Sequence, residues 1–175
     1  SSSHNPPGWL SRRDIDDVRS KTPLPYIVVV PVRTDDLGRI AYVGSLLTAH
    51  DADGTVSRTL ITGRVLFHET IRESIARNIS KDLGDMTLPH LPVNLQPFMV
   101  AEFFPTPGVS PYFDARQHAV ALCYIVDIAG DCRPMDETLD VEWVSVSEAV
   151  RPEFLAQLPN GFDRVVVQAL TSAGV

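Results

Sequence analysis

The chain has 175 residues, 44% hydrophobic and 21% charged, with a net charge of -7 and a pI near 5.1. This balance belongs to a folded globular chain and excludes a disordered or low-complexity one; the acidic sign argues against a general nucleic-acid binder, which would carry a basic stripe. No apolar run reaches the ~18–20 residues of a membrane span and no charged-then-apolar leader opens the chain, so a cytoplasmic location without membrane contact is expected.

Residues 1–175 read as one domain, with residues 1–22 as an N-terminal extension. Within it, Ser11 ahead of Asp14 has the form of a helix N-cap, predicting a short helix from about Arg12 to Arg19 anchored by Trp9 and Leu10. Tyr26–Val32 is a dense β-branched run, a strand covered on both faces, in which Pro31 suggests a bulge or an edge position. Asp35–Gly38 is a turn and Ile40–Leu47 a second strand. A hairpin-type turn over His50–Thr55 leads to a third strand, Ser57–Ile61. Short turns between consecutive strands predict antiparallel pairing.

The apolar period then changes to four. Ile71, Ile75, Ile79 and Leu83, with Ala76 beside them, mark one face of a helix. Thr70 and Glu73 form a capping box at its start, and Gly84 is a natural stop. Leu88–Pro97 reads as a loop, Phe98–Phe104 as a strand, Pro105–Arg116 as a long irregular loop and His118–Ile128 as a strand. Asp140–Val146 is the last strand, followed by helices at about Ser147–Leu158 and Gly161–Ser172. Cys123 and Cys132 have neither CxxC spacing nor a histidine pair nearby, so both are expected as free thiols.

From Gly63 the chain reads GRVLFHETIRESIARNISKDLG. A glycine, a glutamate six residues on, then an arginine, an apolar position and a closing glycine match Gly63, Glu69, Arg77, Ile79 and Gly84. This segment resembles the signature of the Nudix family, and the Trp143–Glu148 stretch is similar to the end of many Nudix domains. The resemblance covers roughly Tyr26 to Val175. It implies an α+β fold, a Nudix-type α/β/α sandwich with a mixed, largely antiparallel sheet. It also implies hydrolysis of a diphosphate linked to another moiety, with Mg²⁺ or Mn²⁺ neutralising the phosphates and activating water. Nudix proteins are frequently dimers, so a homodimer is a further expectation.

The departure is at the metal. Positions 78, 81 and 82 share one helix face, where the family presents three carboxylates; here Asn78, Lys81 and Asp82 stand instead. Hard dications want carboxylate oxygens. A lysine ~4 Å from a dication repels it by roughly 8 kcal/mol at an effective dielectric near 20. Mg²⁺ or Mn²⁺ is therefore expected to bind weakly, through Asp82, Glu69 and Glu73, with Glu102 as another carboxylate in reserve. The resemblance makes Glu69, Arg77 and Asp82 the catalytic candidates. Lys81 either pairs with Asp82 or faces the phosphates of a small phosphorylated ligand.

Other residues carry two readings each. Glu73 and Arg77 are spaced as a surface ion pair, and Glu69 sits where any helix favours a carboxylate. At the junction between the long loop and the strand after it, Arg116 and His118 are candidates for substrate contact through a bidentate phosphate bond and acid/base chemistry. A turn held by Asp114 and Arg116 is the alternative. Phe103, Phe104, Tyr112 and Phe113 suit either a stacking surface or the core. The function expected is a divergent Nudix hydrolase-like protein acting on or binding a nucleoside-diphosphate-linked compound. The alternative is a non-catalytic Nudix-fold module for ligand sensing or protein contact.

Overall fold

A computed structural model describes residues 8–48, 56–135, 138 and 140–175. The N-terminal helix α1 spans Arg12–Arg19, opened by Ser11 Oγ accepting from Asp14 N at 3.1 Å. Strand β1 (Leu24–Thr34) is central: it runs parallel to β8 (Ala119–Ile128) from Leu24 to Val32. Its side chains alternate between two apolar clusters, Ile27 and Val29 on one face, Val28, Val30 and Val32 on the other. Strands covered on both faces read as continuous apolar runs for this reason.

Pro31 corrects its expectation. It lies in a central strand, neither at an edge nor in a bulge. On the side away from β8, β1 pairs antiparallel with β4 (Ile61–Arg64) through Tyr26–Val29, and with β2 (Ile40–Leu47) through Val32–Thr34. Pro31 falls in the gap between the two partners, where a missing N–H costs no ladder bond. The expected third strand is likewise split, β3 (Arg58–Thr59) pairing with β2 and β4 with β1. The turn expected over His50–Thr55 lies outside the described residues.

Helix α2 (Ile71–Leu83) is the helix that the four-residue period predicts, with Ile75, Ile79 and Leu83 fully buried against the sheet. Burial of each stabilises by about 1.5–3 kcal/mol. Gly84 stops it at φ 86°, a conformation that favours glycine. Two-residue strands β5 (Pro89–His90) and β7 (Tyr112–Phe113) lie in segments expected as loops, pairing with β8 and with β6 (Met99–Phe104). Strand β9 (Asp140–Ser145) joins β2 antiparallel.

The helix expected over Ser147–Leu158 is two short ones, α3 (Val146–Ala149) and α4 (Pro152–Leu155). Pro152 forces the break, since it disfavours helical backbone in the residue before it, and Arg151 is extended (ψ 142°). Helix α5 (Phe162–Ser172) packs Val165, Val166, Ala169 and Leu170 on the sheet face opposite α2. The result is an α+β sandwich around one mixed sheet, parallel at β1–β8 and β6–β7 and antiparallel at its other pairings.

Candidate functional site

The signature segment forms a strand end, a loop and the whole of α2, and a glycine sets the spacing. A Cβ on Gly63 would lie 1.9 Å from Asn78 Oδ1, so only glycine lets β4 approach the helix this closely. Asn78 is fully buried and its Nδ2 donates to Ser74 O at 2.8 Å, while its Oδ1 has no protein partner. Thr70 caps the helix by accepting from Glu73 N, and its hydroxyl donates to the Glu73 carboxylate at 3.0 Å.

Arg77 pairs with Glu69 and not with Glu73, which corrects the i, i+4 alternative. Arg77 Nε donates to Glu69 Oε2 at 2.7 Å and Nη2 to Oε1 at 3.1 Å, a bidentate pair, and Nη2 also donates to Arg64 O at 2.8 Å. Glu69 Oε1 further accepts from Leu66 N. Burial alone would raise the Glu69 carboxyl, but the Arg77 and Leu66 hydrogen bonds outweigh it and hold the group below the usual carboxylate range. This pair ties the loop to the helix and presents the outer edge of the guanidinium to a cavity.

That cavity measures about 480 Å³ and is lined by five cations: Arg19, Arg64, Arg77, Lys81 and Arg116. Arg77 is answered by Glu69 and Arg116 by Asp114; Arg19 faces Asp16 at 3.5 Å. Arg64 and Lys81 instead donate to main-chain carbonyls, Gly8 O at 3.2 Å and Thr62 O at 3.2 Å, dipoles that leave their charge in place. Burial holds the Arg64 guanidinium below its ordinary value, and the charges of Arg77 and Arg19 push the same way. Lys81 therefore has a place of its own on the cavity wall.

The donor set does not fit a dication. Among the described residues no group of three His, Cys, Asp or Glu side chains stands close enough to hold a metal ion. Glu69 is engaged by Arg77 and Glu73 by the Thr70 hydroxyl, and Asp82 is not in the cavity wall. The three carboxylates expected as metal donors are thus not gathered into one site. The oxygen left over at the wall, Asn78 Oδ1, is a neutral amide on the same helix as Arg77 and Lys81, the wrong surroundings for Mg²⁺.

A second cavity of about 390 Å³ shares Tyr26, Thr62 and Arg116 with the first, and its further lining includes Phe103, Phe113, Phe162 and Asn160. Its character is aromatic where the first is cationic. Arg116 stands at the boundary, in a turn built on Asp114: Asp114 Oδ1 accepts from Arg116 N at 2.9 Å and from its Nε at 3.2 Å, and Oδ2 accepts from Gln117 Nε2 at 2.9 Å. Burial would raise Asp114, yet the hydrogen bonds from Arg116 and Gln117 hold it low, and the same carboxylate raises Arg116. His118 stacks on Phe104 with ring centroids 4.3 Å apart and lines neither cavity.

Arg77, Lys81 and Arg116 thus meet at one cavity, with Glu69 behind Arg77, while Glu73, Asp82 and His118 stand apart from it. Trp9, Arg19, Arg64, Tyr26 and Phe162 also line the two cavities and were not among the site candidates in the sequence. Arg64 had a readable signal, being the cation next to the signature glycine; the others come from distant segments that only the fold brings together.

The family model described as "Domain of unknown function (DUF4916)" matches residues 5–175. No curated protein matches the chain. A crystal structure from Jonesia denitrificans, of a possible asymmetric diadenosine tetraphosphate (Ap4A) hydrolase, is 47% identical over 88% of this chain and 96% of that one, with a TM-score of 0.83. The Nudix domain of Shewanella oneidensis NrtR, complexed with ADP ribose, shares 16% identity over 86% and 88% of the two chains, with a TM-score of 0.57. A C. elegans Ap4A hydrolase binary complex shares 11% over 87% and 99%, also at 0.57. These last two show likeness of fold. Signature, topology and matches converge: the chain belongs to the DUF4916 family and has the fold of Nudix domains.

Proposed function

We propose that the chain binds a nucleoside-diphosphate-linked compound across the two adjoining cavities, phosphates on the cations and the flat group among the aromatics. The observation that carries this reading is the junction itself: a five-cation cavity sharing Tyr26, Thr62 and Arg116 with an aromatic one. Each volume lies within the ~300–1,000 Å³ usual for ligand pockets. Guanidinium groups match phosphate oxygens in planar pairs, and each charge-assisted hydrogen bond contributes about 1.5–3 kcal/mol. Phosphate charge is then neutralised by side chains, Lys81 foremost, in place of a bridging dication.

Titration calorimetry with ADP and ADP-ribose tests this. Binding is expected with equal affinity in EDTA and in Mg²⁺, and Lys81→Gln should weaken it by about tenfold, the loss of one such bond. Binding that requires Mg²⁺, or its absence altogether, would sink the proposal. A second reading, hydrolysis, draws support from the Jonesia relative, described as a possible Ap4A hydrolase. Turnover of dinucleoside polyphosphates that depends on Mg²⁺ or Mn²⁺ and disappears in Asp82→Ala would favour it over binding alone.

A further inference from the structure

The segment ahead of the sheet is built into the cavity in a way that a passive extension would not be. Trp9, Leu10, Ile15 and Arg19 all line it, and Ile15 and Arg19, four apart, share one face of α1. The helix has eight residues and none is buried; a helix this short is marginal by itself in water. Its attachments are few, and most fall on site residues. Arg64 Nη2 donates to Gly8 O at 3.2 Å, the Arg77 guanidinium lies 5.4 Å from the centre of the Trp9 ring, and Arg19 Nε donates to Gln117 Oε1 at 2.9 Å. Gly8 also sits tight on the signature loop, where a Cβ would stand 2.7 Å from Phe67 N.

Docking this segment brings Arg19 to a wall already carrying Arg64, Arg77, Lys81 and Arg116. Arg19 brings Asp16 with it at 3.5 Å, so docking adds a partly answered cation to a wall on which Arg64 and Lys81 have only carbonyl partners. Because Arg19 of the segment lines the same cavity as Arg64 and Arg116 of the body, a ligand with two linked phosphates would be held from both sides.

We infer that residues 8–19 are a clasp for the phosphates, with Arg19 as a phosphate-binding residue and closure of the segment coupled to occupancy of the site. This rests on the proposed binding function and adds to it the element that secures the ligand. A largely exposed segment held at Gly8 and Trp9 by two site residues, Arg64 and Arg77, is the arrangement such coupling requires.

The test uses the full chain with ADP and inorganic pyrophosphate as probes, by calorimetry and by hydrogen exchange of residues 8–19. Arg19→Gln should weaken both probes by about fivefold to tenfold, Arg19→Lys should recover part of that, and either probe should slow exchange across the segment in the native protein. Trp9→Ala, which removes the ring beneath Arg77 and leaves Arg19 in place, should blunt the exchange response. Wild-type protein that binds neither probe overturns the binding function and the clasp together. Wild-type binding that Arg19→Gln matches, with unchanged exchange over residues 8–19, overturns the clasp alone.

Discussion

Glu69 shows how one side chain holds two segments at once. Its carboxylate takes both Arg77 donors and the Leu66 amide, with 11% of the side chain exposed. Because the folded protein lowers its pKa, the group contributes stability that is fully present above the ordinary value of 4.5 and is lost as pH falls through the lower folded value. Urea denaturation at a series of pH values should show this acid loss in the wild-type protein. Glu69→Gln should be roughly 1–3 kcal/mol less stable at neutral pH, since a partly buried guanidinium loses its counter-charge, and should lose that share of the acid dependence. An unaltered pH profile in the variant would refute the assignment. The glutamate and arginine were visible in the sequence by their spacing from Gly63, but their pairing was not. Local helix geometry favours Glu73 for Arg77, and only the loop conformation brings Glu69 across instead.

At the scale of elements, the contact between β4 and α2 decides whether the cationic wall exists. Gly63→Ala forces a methyl into the Asn78 amide and should destabilise by about 1–3 kcal/mol, as overpacking does. Adding Asn78→Ala removes the obstacle, so the double variant should be more stable than the sum of the two single losses implies. A denaturation double-mutant cycle reads that coupling directly, and strict additivity would contradict the contact. Helix α2 was legible because its period of four is a property of the chain alone. The boundary between α3 and α4 lies at Pro152, a break that the single helix expected over Ser147–Leu158 runs through. Strands β5 and β7 have two residues each, too few for any alternation to register; they exist because β8 and β6 offer open backbone beside them.

For the whole molecule, the site is a product of topology. Arg19, Arg64, Lys81 and Arg116 come from four separate stretches of an acidic chain, net -7, that carries no basic run. Composition argued against polyanion partners in general and could not show cations converging on one cavity. Asn78 and Lys81 gave the expectation of a weakened metal site, and in the structure Glu69 is engaged by Arg77 and Glu73 by the Thr70 hydroxyl. No helix among the described residues is long and apolar enough to cross a membrane.

The change of partner along β1 at Pro31 has a mechanical consequence. In the ladder of backbone hydrogen bonds, the parallel β1–β8 pair is what the two halves have in common; β4, carrying α2, pairs with the first stretch of β1, and β2 with β3 and β9 lies beyond Pro31. A fluctuation that lifts the half bearing the cationic wall need not break the other, so the two should open as separate cooperative units. Native-state hydrogen exchange should then show Ile61–Arg64 and Tyr42–Leu47 opening with different free energies, with a bound nucleotide raising only the first. If both stretches exchange as one unit, the proline is an ordinary interruption. If they separate, this protein has a joint at Pro31 that lets its binding half breathe while the far half stays shut.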